Sequence, residues 1–174
     1  AITQKKIDAM GVARQFLVDG AWVTKLMDEK EEDIQPCINC HNACFAVAQK
    51  LEGGANMATW GNGKCAITPY TLNESARKLK PLANKKKIVV IGAGIAGMEF
   101  ARIATLRGHD VTIYEKSNEL GGVFIAAAAP KFKEKDKMLL KWYAKQMKDL
   151  NIKIEFKHEV TEEELKELDA DEII

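Results

Sequence analysis

Residues 87–122 read KIVVIGAGIAGMEFARIATLRGHDVTIYEKSNELGG, and they combine a hydrophobic run, a set of spaced glycines and an acidic residue. Residues 88–91 are an uninterrupted β-branched run, as expected of a strand buried on both faces of a parallel sheet. Apolar residues then recur at roughly helical spacing from Ile95 to Leu106. Gly108 follows this segment, and Val111–Glu115 has the pattern of a second strand. The order of elements predicts a parallel βαβ unit in an α/β protein.

Three glycines occupy the turn between the first strand and the helix. Gly92, Gly94 and Gly97 form G-x-G-x-x-G, in which the first glycine permits a tight turn and the second lets a pyrophosphate approach the backbone. The third glycine lets the helix pack closely on the strand, and the anion lies at the helix N-terminus. The motif predicts a Rossmann-like domain that binds a dinucleotide or ADP. Its predicted cofactor-binding residues are Gly92, Ala93, Gly94, Ala96 and Gly97.

An acidic residue ends the second predicted strand. Glu115 lies 23 positions after Gly92, close to where a carboxylate binds the hydroxyls of an adenosine ribose. A carboxylate there repels a 2′-phosphate, which favours FAD, NAD or ADP over NADP, although the neighbouring Lys116 weakens that argument. The alternative is a glycine-rich turn in an ordinary βαβ unit without a ligand.

Composition limits the class of protein. The 174 residues are 47% hydrophobic, enough for a real core, and the net charge is +1, so no global field indicates nucleic acid or a membrane as a partner. We find neither an apolar run of about 18 residues nor the basic and apolar regions of a signal peptide. The expected location is therefore the cytoplasm.

Four cysteines lie close together in the chain. Cys37, Cys40 and Cys44 are spaced C-x2-C-x3-C, and Cys65 follows after twenty residues. In the cytosol such a group indicates a metal or cluster site before it indicates disulfides. Three thiolates from one loop and a fourth carried back by a longer segment suit a cubane iron–sulfur cluster.

Other interpretations of the cysteines remain open. A structural zinc ion bound by four cysteines fits the same side chains. The sequence Cys37-x-x-Cys40-His41 matches covalent haem attachment, which requires export and leaves two cysteines unexplained. Disulfides or simple burial are further possibilities. His41 itself is expected to be a loop residue beside the cluster.

The first half of the chain contains few strong signals of secondary structure. We predict a short strand over Ile7–Val12 and one or two short helices over Arg14–Met27, broken near Gly20. Residues 31–33 are expected to be a solvated loop. Residues 70–87 are predicted to form a linker helix followed by a domain boundary.

The C-terminal part continues the alternation of helices and strands. Val123–Pro130 (VFIAAAAP) is an uncharged segment that either contacts a flavin or packs as a plain connection. A basic amphipathic helix is predicted over Lys131–Asp149, packed on the sheet, followed by a strand at residues 152–156. Thr161 and Glu164 form a capping box, and Asp171–Ile174 is predicted to begin a further central strand. The apolar side of the amphipathic helix is predicted to comprise Met138, Leu139, Trp142, Tyr143 and Met147.

The order of these features resembles a known group of iron–sulfur flavoproteins. The chain has a segment containing Arg14, then C-x2-C-x3-C…C, then G-x-G-x-x-G, an acid and Gly121-Gly122. This order is similar to that in 2,4-dienoyl-CoA reductase, 2-enoate reductase and trimethylamine dehydrogenase, which are related to old yellow enzyme. The resemblance implies an N-terminal TIM barrel with FMN, a 4Fe-4S segment, and a part that binds FAD (or only ADP) and NAD(P)H.

The resemblance implies a role for individual residues. Residues 1–30 match the end of the barrel, in which Ala13 and Arg14 hold the FMN phosphate. Residues 31–80 match the cluster segment and linker, and residues 81–174 match the truncated FAD or ADP domain. The gap before Cys65 is longer than in the family. The implied cluster ligands are Cys37, Cys40, Cys44 and Cys65. The implied nucleotide and flavin contacts beyond the glycine motif are Glu115, Lys116, Gly121, Gly122 and Val123.

The resemblance also implies a function. In the intact enzyme NAD(P)H reduces FAD, single electrons cross the cluster to FMN, and FMN reduces an enoate, an enoyl-CoA or an amine substrate of the family. We expect the chain to be a fragment that is inactive alone, self-associates through exposed apolar surface and belongs to a possible homo-oligomer. The alternative is a non-redox module that binds ADP or NAD and is braced by a zinc ion with four cysteine ligands.

Overall fold

The computed structural model describes residue 4, residues 6–44 and residues 64–174. The chain divides into two compact units, Ala1–Arg77 and Lys78–Ile174. The segment 45–63, which is predicted to return Cys65 to the other cysteines, lies outside the described residues.

A parallel sheet forms the centre of the second unit. Its strands are β1 (Lys87–Ile91), β2 (Asp110–Glu115), β3 (Lys153–Phe156) and β4 (Glu172–Ile173), in the order β3-β2-β1-β4. All three strand pairs are parallel, and Val89 pairs with Thr112 on one side and Ile173 on the other. This is the 3-2-1-4 order of a doubly wound dinucleotide-binding fold. The predicted Rossmann-like α/β fold is therefore confirmed.

Three longer segments connect these strands. Helix α3 (Ile95–Leu106) joins β1 to β2, with the predicted bounds, and its buried residues are Met98, Ala101 and Ala104. After β2, α4 (Val123–Ala128), a 3-10 turn (Lys131–Lys133) and α5 (Glu134–Asp149) lead to β3. Helix α6 (Glu162–Leu165) precedes β4. Val90 and Ile113, from β1 and β2, are almost completely buried, so the core lies on this sheet.

Helix α5 packs differently from the prediction. Its main contacts are with α3 and α4 rather than with the sheet. Leu139, Trp142, Tyr143 and Met147 are buried as predicted, but Met138 is 46% exposed. Met138 lies outside the face of α5 that packs on α3 and α4, and the ammonium of Lys135 donates to its sulfur. None of the described helices is both long enough and apolar enough to cross a membrane.

The first unit is built from short helices and turns. Helices α1 (Arg14–Val18) and α2 (Trp22–Met27) are separated near Gly20 as predicted, and a 3-10 turn covers Glu31–Asp33. Thr71 is 3% exposed and its hydroxyl donates to the Leu17 carbonyl at 2.5 Å, so residues far apart in sequence meet here.

Three predictions of secondary structure need correction. Residues 7–12 are not a strand, because a strand needs a neighbour for its backbone hydrogen bonds and no described strand lies beside them. Residues 70–86 form turns rather than a helix, with Asn73 N–H donating to the Tyr70 carbonyl and Pro81 unable to donate. Strand β4 is an edge strand among the described residues, because it pairs with β1 alone.

Candidate functional site

The glycine turn follows β1 and has a geometry that side chains would obstruct. Gly92 has φ +99°, in the left-handed region that favours glycine. A Cβ added to Gly97 would lie 2.1 Å from the Gly92 carbonyl oxygen, so the helix can approach the turn this closely only without a side chain. The third glycine therefore has the packing role that the motif predicts.

The space in front of α3 is open. Gly94 is the N-cap of this 12-residue helix, without a side-chain cap or an acidic residue in the first turn. A Cβ added to Gly92 or Gly94 would meet no atom within 4 Å. The N–H groups of the first helical turn and the positive end of the helix dipole thus face a space that a side chain would fill. This arrangement fits a pyrophosphate group.

Glu115 is anchored by the backbone on both of its oxygens. It is 6% exposed; Oε2 accepts from Ala93 N–H and Oε1 from Ser117 N–H, each at 2.7 Å. Burial raises the pKa of Glu115, but the hydrogen bonds from Ser117 and Ala93, together with the Lys116 charge, outweigh burial and lower the pKa below its ordinary value. Glu115 is therefore ionised at neutral pH, and its carboxylate oxygens keep acceptor capacity for ribose hydroxyls.

A second glycine turn lies against the first. Gly121 N–H donates to the Ala93 carbonyl at 2.8 Å, and Gly121 pairs with Gly94 in an isolated parallel bridge. Gly121 and Gly122 have φ of +121° and +54°, and a Cβ on Gly122 would come within 3.3 Å of Gly94 Cα. The two turns are therefore in direct contact. Of the other residues predicted to contact the cofactor, Ala96, Lys116 and Val123 are exposed, Val123 to 93%.

The four cysteines come together in the first unit. All of them line one cavity, which also contacts Arg14 and His41. All are free thiols, with Cys40 exposed and the others half-buried. Among the described residues, however, no three metal-binding side chains are close enough to hold a single metal ion. Four thiols without disulfide bonds thus line one cavity, and their chemistry is that of the ligands of an iron–sulfur cluster.

The cysteine loop has a bent backbone and local hydrogen bonds. Asn39 and His41 alternate with the cysteines and have φ of +56° and +52°. Ile67 N–H donates to Cys65 Sγ at 3.4 Å, a contact of the kind that tunes cluster sulfurs. The side chain of Arg14, predicted to bind the FMN phosphate, is hydrogen-bonded to His41 Nε2 at the same cavity.

The sequence did not indicate the side chains that hold this loop. Asp19 is 8% exposed and accepts from Lys25 Nζ at 2.6 Å and from Gln35 N–H at 3.0 Å. Gln15 contacts the backbone of Gln35 and Cys37. These residues follow no periodic pattern and no motif, so no signal in the sequence could have identified them.

Comparisons with known proteins agree with this geometry. Residues 61–171 match the model of the pyridine nucleotide-disulphide oxidoreductase family. The chain is 36% identical over 174 residues to a cinnamate reductase of Clostridium sporogenes, covering 100% of this chain and 25% of that protein. It is 35% identical over 166 residues to a metal reductase of Desulforamulus reducens, covering 95% of this chain and 24% of the relative.

A solved structure extends the likeness to the whole chain. A 2-naphthoyl-CoA reductase in complex with 2-naphthoyl-CoA superposes with a TM-score of 0.86 at 30% identity, covering 99% of this chain and 25% of that one. The chain thus spans about a quarter of the length of the relatives it matches. These comparisons confirm the resemblance to the dienoyl-CoA reductase and trimethylamine dehydrogenase group. The chain belongs to the pyridine nucleotide-disulphide oxidoreductase family, whose members are oxidoreductases.

Proposed function

We propose that this chain is the electron-transfer part of an NAD(P)H-dependent flavin and iron–sulfur reductase. It binds FAD, or ADP alone, at the paired glycine turns and a 4Fe-4S cluster at Cys37, Cys40, Cys44 and Cys65. The observation that carries the proposal is the cavity lined by all four cysteine thiols in a chain that also has an open glycine turn. A plain nucleotide-binding module has no need of the first feature.

The nucleotide site acts through backbone groups and one carboxylate. The N–H groups at the start of α3 hold the pyrophosphate, and Glu115 accepts from the ribose hydroxyls while Lys116 offsets its charge. Gly121 and Gly122 lack side chains that would press on Leu140 and on the Gly94 backbone, so the second turn stays close to the first. The exposed Val123 offers an apolar contact to a flavin ring. A flavin, when bound, accepts two electrons from NAD(P)H and can pass them on one at a time.

The cysteine site supplies ligands and controls their surroundings. The cluster, when bound, supplies one-electron transfer between two flavins. The four thiolates bind iron, and Ile67 N–H stabilises negative charge on Cys65 Sγ. Ala13 and Arg14 are proposed to bind the FMN phosphate, because the Arg14 guanidinium keeps N–H donors beyond the one that contacts His41.

The substrate class follows from the relatives. Cinnamate reductase and 2-naphthoyl-CoA reductase are named for an unsaturated carboxylic acid and an aromatic CoA thioester. We therefore propose an enoate or an acyl-CoA thioester as the substrate of the complete protein, with an amine as the alternative. We further propose a cytoplasmic homo-oligomer without nucleic-acid or membrane partners.

The test is a spectrum and a metal analysis of protein purified without oxygen. We expect a brown absorbance that dithionite bleaches, with about four irons and four sulfides per chain, and flavin after incubation with FAD. The Cys65→Ser variant is expected to lose most of the iron yet keep FAD, whereas Thr68→Ser, a control three residues away, keeps both. A colourless protein with one zinc ion would overturn the cluster and support the structural-zinc alternative.

A further inference from the structure

The side chain of Gln15 bridges two backbone groups next to the first cysteine. Its Nε2 donates to the Gln35 carbonyl at 2.7 Å, and its Oε1 accepts from Cys37 N–H at 3.0 Å. The carbonyl needs a donor and the N–H needs an acceptor, so a carboxamide is the group that satisfies both at once. These contacts also define which way the amide faces.

Asp19 completes the support of the same segment. Its Oδ2 accepts from Gln35 N–H at 3.0 Å and from Lys25 Nζ at 2.6 Å, while Oδ1 accepts from Ala21 N–H at 3.1 Å. Pro36, between Gln35 and Cys37, has no N–H. Thus Gln35 N–H, Gln35 carbonyl and Cys37 N–H are all bound by side chains rather than by a strand or a helix. The backbone before Cys37 is therefore placed by Gln15 and Asp19.

The bond to Cys37 N–H has an electrostatic consequence for a cluster at this site. Backbone N–H groups that donate to cluster sulfurs stabilise the more negative, reduced cluster and raise its reduction potential. Ile67 N–H already donates to Cys65 Sγ. Cys37 N–H, by contrast, donates to the side-chain oxygen Oε1 of Gln15 and is withheld from the sulfurs.

We propose that Gln15 is a positioning residue that places Cys37 and sets the reduction potential by withholding the Cys37 N–H. The inference rests on the proposed function, because it concerns the 4Fe-4S cluster. It makes opposite predictions for two variants of similar size. Both variants lose the donor to the Gln35 carbonyl, so they differ in what they offer the Cys37 N–H. Gln15→Met frees this N–H and raises the potential, whereas Gln15→Glu keeps an acceptor for it and adds a negative charge, which lowers the potential.

The experiment is a redox titration followed by electron paramagnetic resonance, on the wild type, Gln15→Met, Gln15→Glu and the control Gln146→Met. Gln146 lies in α5 of the other unit, so its variant tests the loss of a carboxamide without the loss of this bridge. In parallel, the alkylation rate of Cys37 is measured in metal-free protein by peptide mass spectrometry. We expect shifts of opposite sign for the two Gln15 variants, several-fold faster alkylation of Cys37 in Gln15→Met, and wild-type behaviour of Gln146→Met.

Two negative results are distinguishable. Wild-type protein that binds no iron and sulfide overturns the proposed function, and the inference falls with it. Suppose instead that the wild-type protein binds a normal cluster. If both Gln15 variants then shift the reduction potential in the same direction, or leave it unchanged, the inference alone is overturned. If Gln15→Met does not fold, the inference is tested by Gln15→Glu alone. It is then overturned if the reduction potential of Gln15→Glu is not lower than that of the wild type.

Discussion

The two candidate sites are held in place by different kinds of structure. In the Lys78–Ile174 unit, the glycine turn is positioned by strand pairing, by the start of α3 and by close backbone contacts, such as Gly97 against Gly92. In the Ala1–Arg77 unit, the cysteine loop is positioned by side chains, chiefly Gln15 and Asp19, that bind backbone groups. Main-chain geometry depends on the local sequence, whereas a side-chain bridge depends on pairs of distant residues. Substitutions should therefore affect the two sites in separable ways.

The largest expected effect comes from filling the tightest backbone contact of the glycine turn. In Gly97→Ala, the new methyl group would lie 2.1 Å from a backbone oxygen that cannot move away without disturbing β1. We expect a loss of about 3 kcal/mol in the free energy of unfolding, together with loss of bound FAD. Chemical denaturation and flavin absorbance measure these. The control is Gly20→Ala, where a Cβ meets nothing within 4 Å; an equal loss in both variants would contradict the packing argument.

Gly94→Ala separates folding from binding at the same turn. Gly94 has φ −70° and ψ 177°, which alanine adopts without strain, and its Cβ would meet no atom within 4 Å. We expect the free energy of unfolding to change by no more than about 0.5 kcal/mol. FAD binding should nevertheless weaken at least tenfold, because the methyl group occupies the space in front of the helix. Wild-type FAD affinity in this variant would show that the nucleotide lies elsewhere.

The next effect is expected in the first unit. Asp19→Ala leaves the Gln35 N–H without its acceptor and Lys25 without its ion pair, at a cost of about 2 kcal/mol. Iron content should fall while FAD binding remains, since the second unit is untouched. The matched control is Asp28→Ala, whose partner Lys30 lies 3.8 Å away on the surface and contributes little. Loss of FAD together with iron would contradict the independence of the two sites.

A smaller effect, dependent on pH, is expected at Glu115. Glu115→Gln can accept only one of the two backbone hydrogen bonds, so we expect a cost of about 1 to 2 kcal/mol at pH 7. Because the folded pKa is lowered, the carboxylate stabilises the fold above the ordinary glutamate pKa of about 4.3, and this contribution is lost as the pH falls through the lower folded pKa. Urea denaturation from pH 7 to 3 should show a flatter profile for Glu115→Gln than for the wild type. Glu119→Gln, an exposed control, should keep the wild-type profile.

The smallest effect is expected at a helix cap distant in sequence from both motifs. Thr161 Oγ1 accepts from Glu164 N–H at 3.2 Å at the start of α6, and Thr161→Ala should cost about 1 kcal/mol. Hydrogen exchange should increase in α6 alone, with iron and FAD content unchanged. Thr161→Ser, which keeps the hydroxyl, should behave as the wild type. Altered cofactor content in Thr161→Ala would show that α6 supports a site.

The same contrast explains what the sequence could reveal. The bounds of α3 and the parallel pairing of β1 with β2 were predictable, because hydrophobic period, glycine spacing and strand order act together over neighbouring residues. The capping hydroxyl of Thr161 was predictable for the same reason; the Glu164 side chain, however, contacts His158 rather than the cap. The spacing of the cysteines predicted their convergence on one place, but their role as ligands stays a prediction.

The features that could not be predicted depend on distant contacts. The bridges of Gln15 and Asp19 join helix α1 and its C-cap to a segment 16 to 22 residues further along the chain, and no periodicity links the two. Residues 7–12 have the composition of a strand, but composition does not supply a pairing partner. Met138 shares the apolar character of its neighbours in α5, and only the packing of α5 on α3 and α4 decides that it faces solvent.

The hydrogen bonds of Ala93 have a consequence for the kinetics of cofactor binding. Its N–H is held by Glu115 and its carbonyl by Gly121, so both turns are fixed relative to each other by one fully buried residue. A nucleotide that binds as proposed would meet a preorganised site, and its binding would cost little conformational entropy of the chain. Association should proceed in one step at a rate proportional to nucleotide concentration, without a slower rearrangement of the turns afterwards.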